Sequence, residues 1–344
     1  MNDPFPSFPP QSPPPPPPQP PAFPNYKDRS GALVFFGILT MLLGCISLLL
    51  IPLMLLGRAA ATMNHAGNQL PASSLVPAMA IYGVLGAALV WMGVGTIRAR
   101  RWARALMLVF SWSWLIMGIL TTAIMVRVMP STMAAIPAAS QPGQPPMPPG
   151  VMAGVMTFMF AFFGIIFVLM PAVWTAFYSS RHVKATCQHS DPGPSWTDAC
   201  PLPVLAICLW LALCVPMMLM TPLMARPALA FFGTFLTGTP AGICYLVMTV
   251  LWAYSAWSLY KLRTAGWWIV LIVTCLTGAS TAITFSHHGM IDLYKAMDYP
   301  PAQIAQLQAS PFMKGNGMGW LMACTCVPFL GYLLFIRRYL RVQR

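Results

Sequence analysis

Arg98-Ala99-Arg100-Arg101-Trp102-Ala103-Arg104 stands between two long apolar runs, 75–97 and 105–125, and its reading decides the fold. Each run is long enough for a helix that crosses a bilayer, which needs about 20 apolar residues. Lys and Arg resist translocation, so four arginines in one short turn place it on the cytoplasmic side, with Trp102 suited to the headgroup layer. A second turn of the same kind follows later, Lys261-Leu262-Arg263 with Trp267-Trp268 behind it. The echo predicts a duplication.

Composition agrees with a membrane protein. Hydrophobic residues make up 58% of the 344 and charged residues 7%, against roughly 25% charged in soluble domains. The net charge of +13 comes from 19 Lys and Arg against six Asp and no Glu. These cations sit in short segments beside apolar runs, where orientation and anionic headgroups account for them, so nucleic acid is not expected as a partner. The partners expected are the lipid bilayer and a membrane protein, a second copy included.

Residues 1–30 form a proline-rich tail, with 13 prolines in the first 24 positions, and are expected to be disordered and cytoplasmic. The run 32–56 is too long for a cleaved signal sequence and is expected to stay as the first helix. Seven more follow at about 75–97, 105–125, 151–178, 202–224, 238–260, 266–285 and 317–336. The fold class expected is therefore all-α integral membrane, with eight spans in two four-helix units, 31–185 and 202–344, joined by a cytoplasmic linker at 186–201. Pro171 should kink the fourth helix. The segment 130–150, with seven prolines and no charge, is expected to be extended, and 228–236, too short to span, to lie at the interface. With both termini cytoplasmic, fourteen Lys and Arg fall inside and five outside, as the positive-inside rule requires. The location expected is a plasma membrane, the bacterial inner membrane.

Aligned at an offset of about 160, the halves share anchors in order. Pro52 meets Pro222, Arg98-Ala99-Arg100 meets Lys261-Leu262-Arg263, Gly118 and Thr121 meet Gly278 and Thr281, and Pro171 meets Pro328. Four helices per copy is an even number, so the copies would be parallel, related by an axis along the membrane normal. Gly118 and Gly278 are expected to face that axis. In the second helix, Gly83 and Ala87 lie four apart and Gly86 and Gly93 seven apart, spacings that suit a close packing face.

No ionisable residue falls in the middle of an expected span, which disfavours a buried proton path. Thr274, Thr277, Thr281 and Thr284, with Ser280 beside them, make a hydroxyl stripe expected to serve packing. His182, Cys187, His189 and Cys200 offer the residue types of a tetrahedral zinc site without the tight spacing of a zinc knuckle. His287, His288 and Asp292, in the outer segment 286–315, could bind a metal or act as base, and Pro301 suits the start of a short helix there. Neither set is assigned as a site: no catalytic, metal or cofactor-binding residue is expected, and no cofactor. The function expected is that of a non-enzymatic binding or assembly component. The alternatives are a passive or facilitated transporter with its site between the repeats, and a membrane enzyme using the outer histidines.

Overall fold

The computed structural model describes residues 27–63, 72–135, 149–224, 227–299, 301–309 and 317–341. The first half contains α1 (Ser30–Met63), α2 (Ala72–Ile97), α3 (Arg101–Ala135), α4 (Pro149–Gly164), a π-helical turn (Ile165–Leu169), α5 (Met170–Ser179) and α6 (Arg181–Ser190). A 3-10 turn (Trp196–Ala199) leads to α7 (Leu202–Met224), strands β1 (Ala228–Phe231) and β2 (Thr234–Thr237), then α8 (Thr239–Tyr260) and α9 (Thr264–His287). Short helices α10 (Met290–Ala296) and α11 (Pro301–Ala309) precede α12 (Gly317–Arg341). Among the described residues seven helical stretches are long and apolar enough to cross a membrane: Ser30–Ala60, Ala78–Ile97, Arg101–Val126, Ala153–Ser179, Leu202–Pro222, Thr239–Tyr260 and Thr264–His287. The chain is a predominantly helical, multi-pass membrane protein. Residues 1–26 of the expected proline-rich tail lie outside the described residues, whereas 27–30, expected to be disordered with them, lead into α1, which begins at Ser30; 136–148 of the expected extended segment also lie outside, and 130–135 instead continue α3.

Glycine lets α1 and α2 pack backbone to backbone. A Cβ built on Gly44 would sit 2.8 Å from the Gly86 carbonyl oxygen, and one on Gly93 would sit 2.9 Å from the Gly37 carbonyl oxygen. Gly37 and Gly44 are one heptad apart on α1, Gly86 and Gly93 one heptad apart on α2, so the antiparallel helices meet at two glycine pairs. Of the two spacings that stood out in α2, the heptad one makes this contact; Ala87 is exposed and Gly83 has room for a methyl group, 3.6 Å from Ile51. Without a hydrophobic force between helices in lipid, close van der Waals approach is what holds such a pair.

Pro171 acts through a bulge. A proline cannot donate to the carbonyl four residues back, here Phe167, and its ring crowds that oxygen. The backbone answers with the π-helical turn at Ile165–Leu169, closed by Met170 N–H donating to the Ile165 carbonyl. Against the displaced Phe167 carbonyl packs Gly118 of α3, where any Cβ would collide with that oxygen. In the second half Gly278 of α9 faces Cys326 of α12, with Cβ space to 3.4 Å. Both glycines therefore face the last long helix of their own half rather than a shared central axis.

Two separate cores follow the halves. One gathers Leu33, Leu89, Met107, Trp174, Tyr178 and Val183; the other gathers Val204, Leu211, Leu259, Trp267, Leu333 and Ile336. A bond from Trp210 Nε1 to Ser113 Oγ at 2.9 Å joins α7 to α3 between them.

The expected interfacial piece at 228–236 is a hairpin, with Ala228 opposite Thr237 and Phe231 opposite Thr234. Its turn residues Phe232 and Gly233 both have positive φ, 40° and 98°, the hand that suits a two-residue hairpin. Phe-Gly lacks the Asn-Gly or Asp-Gly signal of such turns, which is why the sequence pattern did not reveal it.

Candidate functional site

The basic segments converge on one end of the bundle. Both arginine-bearing turns close their helices with the same cap. Arg100 N–H bonds the Gly95 carbonyl and Ala99 N–H the Thr96 carbonyl; Arg263 N–H bonds Ser258 and Leu262 N–H bonds Leu259. Ala99 and Leu262 occupy the left-handed position, φ 49° and 56°, which glycine usually takes. The first turn is shorter than its run of arginines suggests. Only residues 98–100 leave the helix, and Arg101 and Arg104 lie in the first turn of α3.

The segment 181–201 is not a loop but α6 followed by the 3-10 turn. Helical phase then decides what the candidate ligands do. His182 and Thr186 share one face of α6 and meet the chain entering α1: Lys27 N–H donates to His182 Nδ1 at 3.3 Å and Arg29 N–H to Thr186 Oγ1 at 3.2 Å. His189, one heptad after His182, is exposed and lies beside Asp28. Val183 and Cys187 lie about 100° further round the helix and are buried. The four candidate ligands are thus divided: His182 and His189 share one face of α6, half-buried and exposed, while Cys187 and Cys200 are buried. Among the described residues no three His, Cys, Asp or Glu side chains come close enough to share a metal ion.

Asp191 and Asp198 brace this end. Asp191 accepts from Arg100 Nη1 at 3.3 Å and from the Arg101 backbone N–H at 3.4 Å, at the start of α3. Arg101 donates through Nη1 to the Gly193 carbonyl at 3.1 Å and pairs through Nη2 with Asp198 at 3.1 Å. Asp198 also caps its own 3-10 turn by accepting from Ser195 N–H at 3.0 Å. Tyr260 of the second half donates to the Trp196 carbonyl at 3.0 Å, tying α8 to the same segment.

Between these elements lies a cavity of about 670 Å³, within the range of small-molecule pockets. Residues from α3, α6, the linker, the start of α7, the second basic turn and α12 line it, so it is made by both halves. Its polar wall carries Arg101, Arg104, Lys184, Asp198 and Tyr339, and its apolar wall includes Leu108 and Leu202. Arg104 Nε is closed off from solvent and has no hydrogen-bond partner among the described residues. Cys187 and Cys200 also face this space. Burial pushes both thiols up to about 11, for Cys187 against the opposing charge of Arg104, so both remain protonated near neutrality. In sequence, Arg104 and Lys184 read as orientation charges. The signal that could have found the site is the spacing of Val183 and Cys187, which makes α6 a helix with an inward face.

The outer candidates do structural work at the other end. His288 Nε2 bonds the Gly233 carbonyl at 3.1 Å. Asp292 accepts from Gly289 N–H at 3.0 Å and from Lys295 at 3.3 Å; those bonds, the Gly289 one foremost, hold its carboxyl below the usual range. His287 is exposed. Part of the hydroxyl stripe of α9 grips the hairpin: Phe232 N–H donates to Ser280 Oγ and Gly233 N–H to Thr284 Oγ1, each at 3.0 Å, while Ser280 Oγ donates to the Ala230 carbonyl at 2.8 Å. Thr277 bonds back to its own helix. Pro301 opens α11, the short helix expected there, and α10 lies beside the hairpin.

No protein-family model, curated protein or solved structure matches the chain. The class is defined by the helices alone, a multi-pass membrane protein.

Proposed function

We propose that the chain is a non-enzymatic binding component of a plasma membrane, built from eight spans with both termini cytoplasmic, whose ligand sits in the cavity at the basic end. In this reading α12, 25 residues long, is the eighth span. The two units are parallel copies. Support comes from the matching caps at the two basic turns, from the pairing of α1 with α2 and α7 with α8, and from Gly118 and Gly278 each facing the last long helix of its half. The orientation follows from the gathering of the start of α1, both basic turns, α6 and Tyr339 at one end, the end to which the positive-inside rule assigns the cytoplasm. Cysteine labelling in intact cells, in a background free of native cysteines, is expected to reach a thiol placed at Pro142 and to miss one placed at Arg100. The opposite pattern would reverse the orientation.

The observation that carries the binding reading is Arg104: a guanidinium nitrogen without a partner, beside a cavity that both halves build. That nitrogen is closed off from water with nothing to donate to, and such a group is costly to leave unmet, which favours a ligand that accepts from it. Transport is favoured less, because Ser280 and Thr284 are spent on the hairpin instead of lining a mid-membrane path. Native mass spectrometry of protein released gently from its own membrane tests the reading. A retained small-molecule adduct is expected, and Ala199→Trp should expel it, since Ala199 is exposed yet lines the cavity and its replacement disturbs little packing. The bare chain mass from both proteins would reject the binding reading.

A further inference from the structure

We propose that the ligand of this cavity carries a phosphate group, held between the Arg104 guanidinium and the Lys184 ammonium; the proposal rests on the binding reading above and names its chemistry. The charges that line the space do not cancel. Arg101 is satisfied by Asp198 and the Gly193 carbonyl, which leaves Arg104 from α3 and Lys184 from α6 as a surplus of two positive charges on the polar wall. Asp191, the other carboxylate of this end, is engaged by Arg100 and the start of α3. Lys184 forms no ion pair among the described residues and is exposed, so its ammonium is free to turn to an anion.

The two cations differ in geometry, and Tyr339 adds one further donor. Arg104 presents a planar fork suited to two oxygens of one phosphate, and Lys184 a point charge that tolerates the remaining one. Tyr339 accepts from Arg338 at 2.9 Å through its hydroxyl oxygen, which leaves that hydroxyl's own hydrogen to donate. The buried thiols of Cys187 and Cys200 are neutral and do not oppose an anion. Below the cations, Leu108 and Leu202 give the cavity an apolar wall. A phosphodiester headgroup with its glycerol end on that wall fits this arrangement, and so does a free phosphate compound confined to the polar side. Basic pockets between spans at the cytoplasmic face suit both.

Purified protein in a phosphate-free, uncharged detergent decides the chemistry and its source. Thermal stability is read while inorganic phosphate is titrated at constant ionic strength, and again after phosphatidylglycerol is added to the micelles. A free phosphate ligand is expected to raise the melting temperature in the first arm; a lipid headgroup raises it in the second arm alone. In the arm that responds, Arg104→Gln and Lys184→Gln should each weaken the effect about tenfold, as loss of a charge-assisted contact requires, whereas Arg98→Gln, an exposed charge of the same turn outside the cavity, should leave it unchanged. Lys184→Gln keeps the test open should Arg104→Gln fail to fold, because Lys184 is exposed. No response in either arm, or equal weakening by Arg98→Gln, would overturn the proposal. A native adduct that Ala199→Trp expels and both glutamine variants retain would overturn it too, while leaving the binding reading standing.

Discussion

Replacing Gly86 or Gly93 by leucine is expected to separate α1 from α2 and to cost about 3 kcal/mol each, the upper part of the range for overpacking a closed interface. A Cβ at Gly86 would already lie 2.9 Å from the Gly44 carbonyl oxygen and 2.7 Å from Leu48 Cγ. At Gly93 it would lie 2.5 Å from Met41 Cγ and 2.9 Å from the Gly37 carbonyl oxygen. Met41 and Leu48 can swing aside, but a helix backbone cannot. The two helices must therefore move apart and lose contact along their length. Melting in mild detergent should fall by roughly 5 °C or more for each variant. Gly83→Ala is the control, with 3.6 Å to Ile51, and should change stability by no more than about 0.5 kcal/mol. Equal tolerance of Gly86→Leu and Gly83→Ala would mean that α1 and α2 do not meet at their glycines.

Gly118→Ala is expected to be far more damaging than Gly278→Ala, although the two positions read alike in the sequence. At Gly118 the added methyl meets the Phe167 carbonyl that Pro171 has pushed out of the helical ladder; at Gly278 it meets Cys326 at an ordinary 3.4 Å. The first change should cost about 2 kcal/mol or more, the second within about 0.5 kcal/mol. Because each glycine contacts only its own half, the double variant should equal the sum to within about 0.5 kcal/mol. Chemical denaturation of the four proteins in one detergent gives all the terms. A double variant much milder than the sum would restore a shared contact at the centre of the molecule.

These glycines mark the boundary of what sequence could decide. The spans themselves were legible, because a bilayer demands about 20 apolar residues per crossing and charges at their ends have few places to go. Seven expected spans match apolar helices of the structure within a few residues at most ends, with α1 and α3 running further, since long basic side chains near helix ends can reach the headgroup layer. The heptad of Gly86 and Gly93 was legible for a related reason: in lipid, small residues at helical spacing signal contact.

What the tertiary structure alone decided depends on groups brought together from distant parts of the chain. In 181–190 the spacing of Val183 and Cys187 is the one sign of a helix with an inward face, and a ten-residue polar stretch carries too little further pattern to show what that face meets. Nor could period and composition show that Ala228–Phe231 folds back on Thr234–Thr237, since that turn is held by Ser280 and Thr284, some fifty positions away. The candidate site is the extreme case. Arg104, Lys184 and Tyr339 each read as the ordinary end of a span, and only the convergence of segments from both halves leaves two cations without a carboxylate around one cavity. Hydropathy and charge act along the chain and are legible in it; the pairing or non-pairing of a charge is settled by what lies within a few ångströms in space.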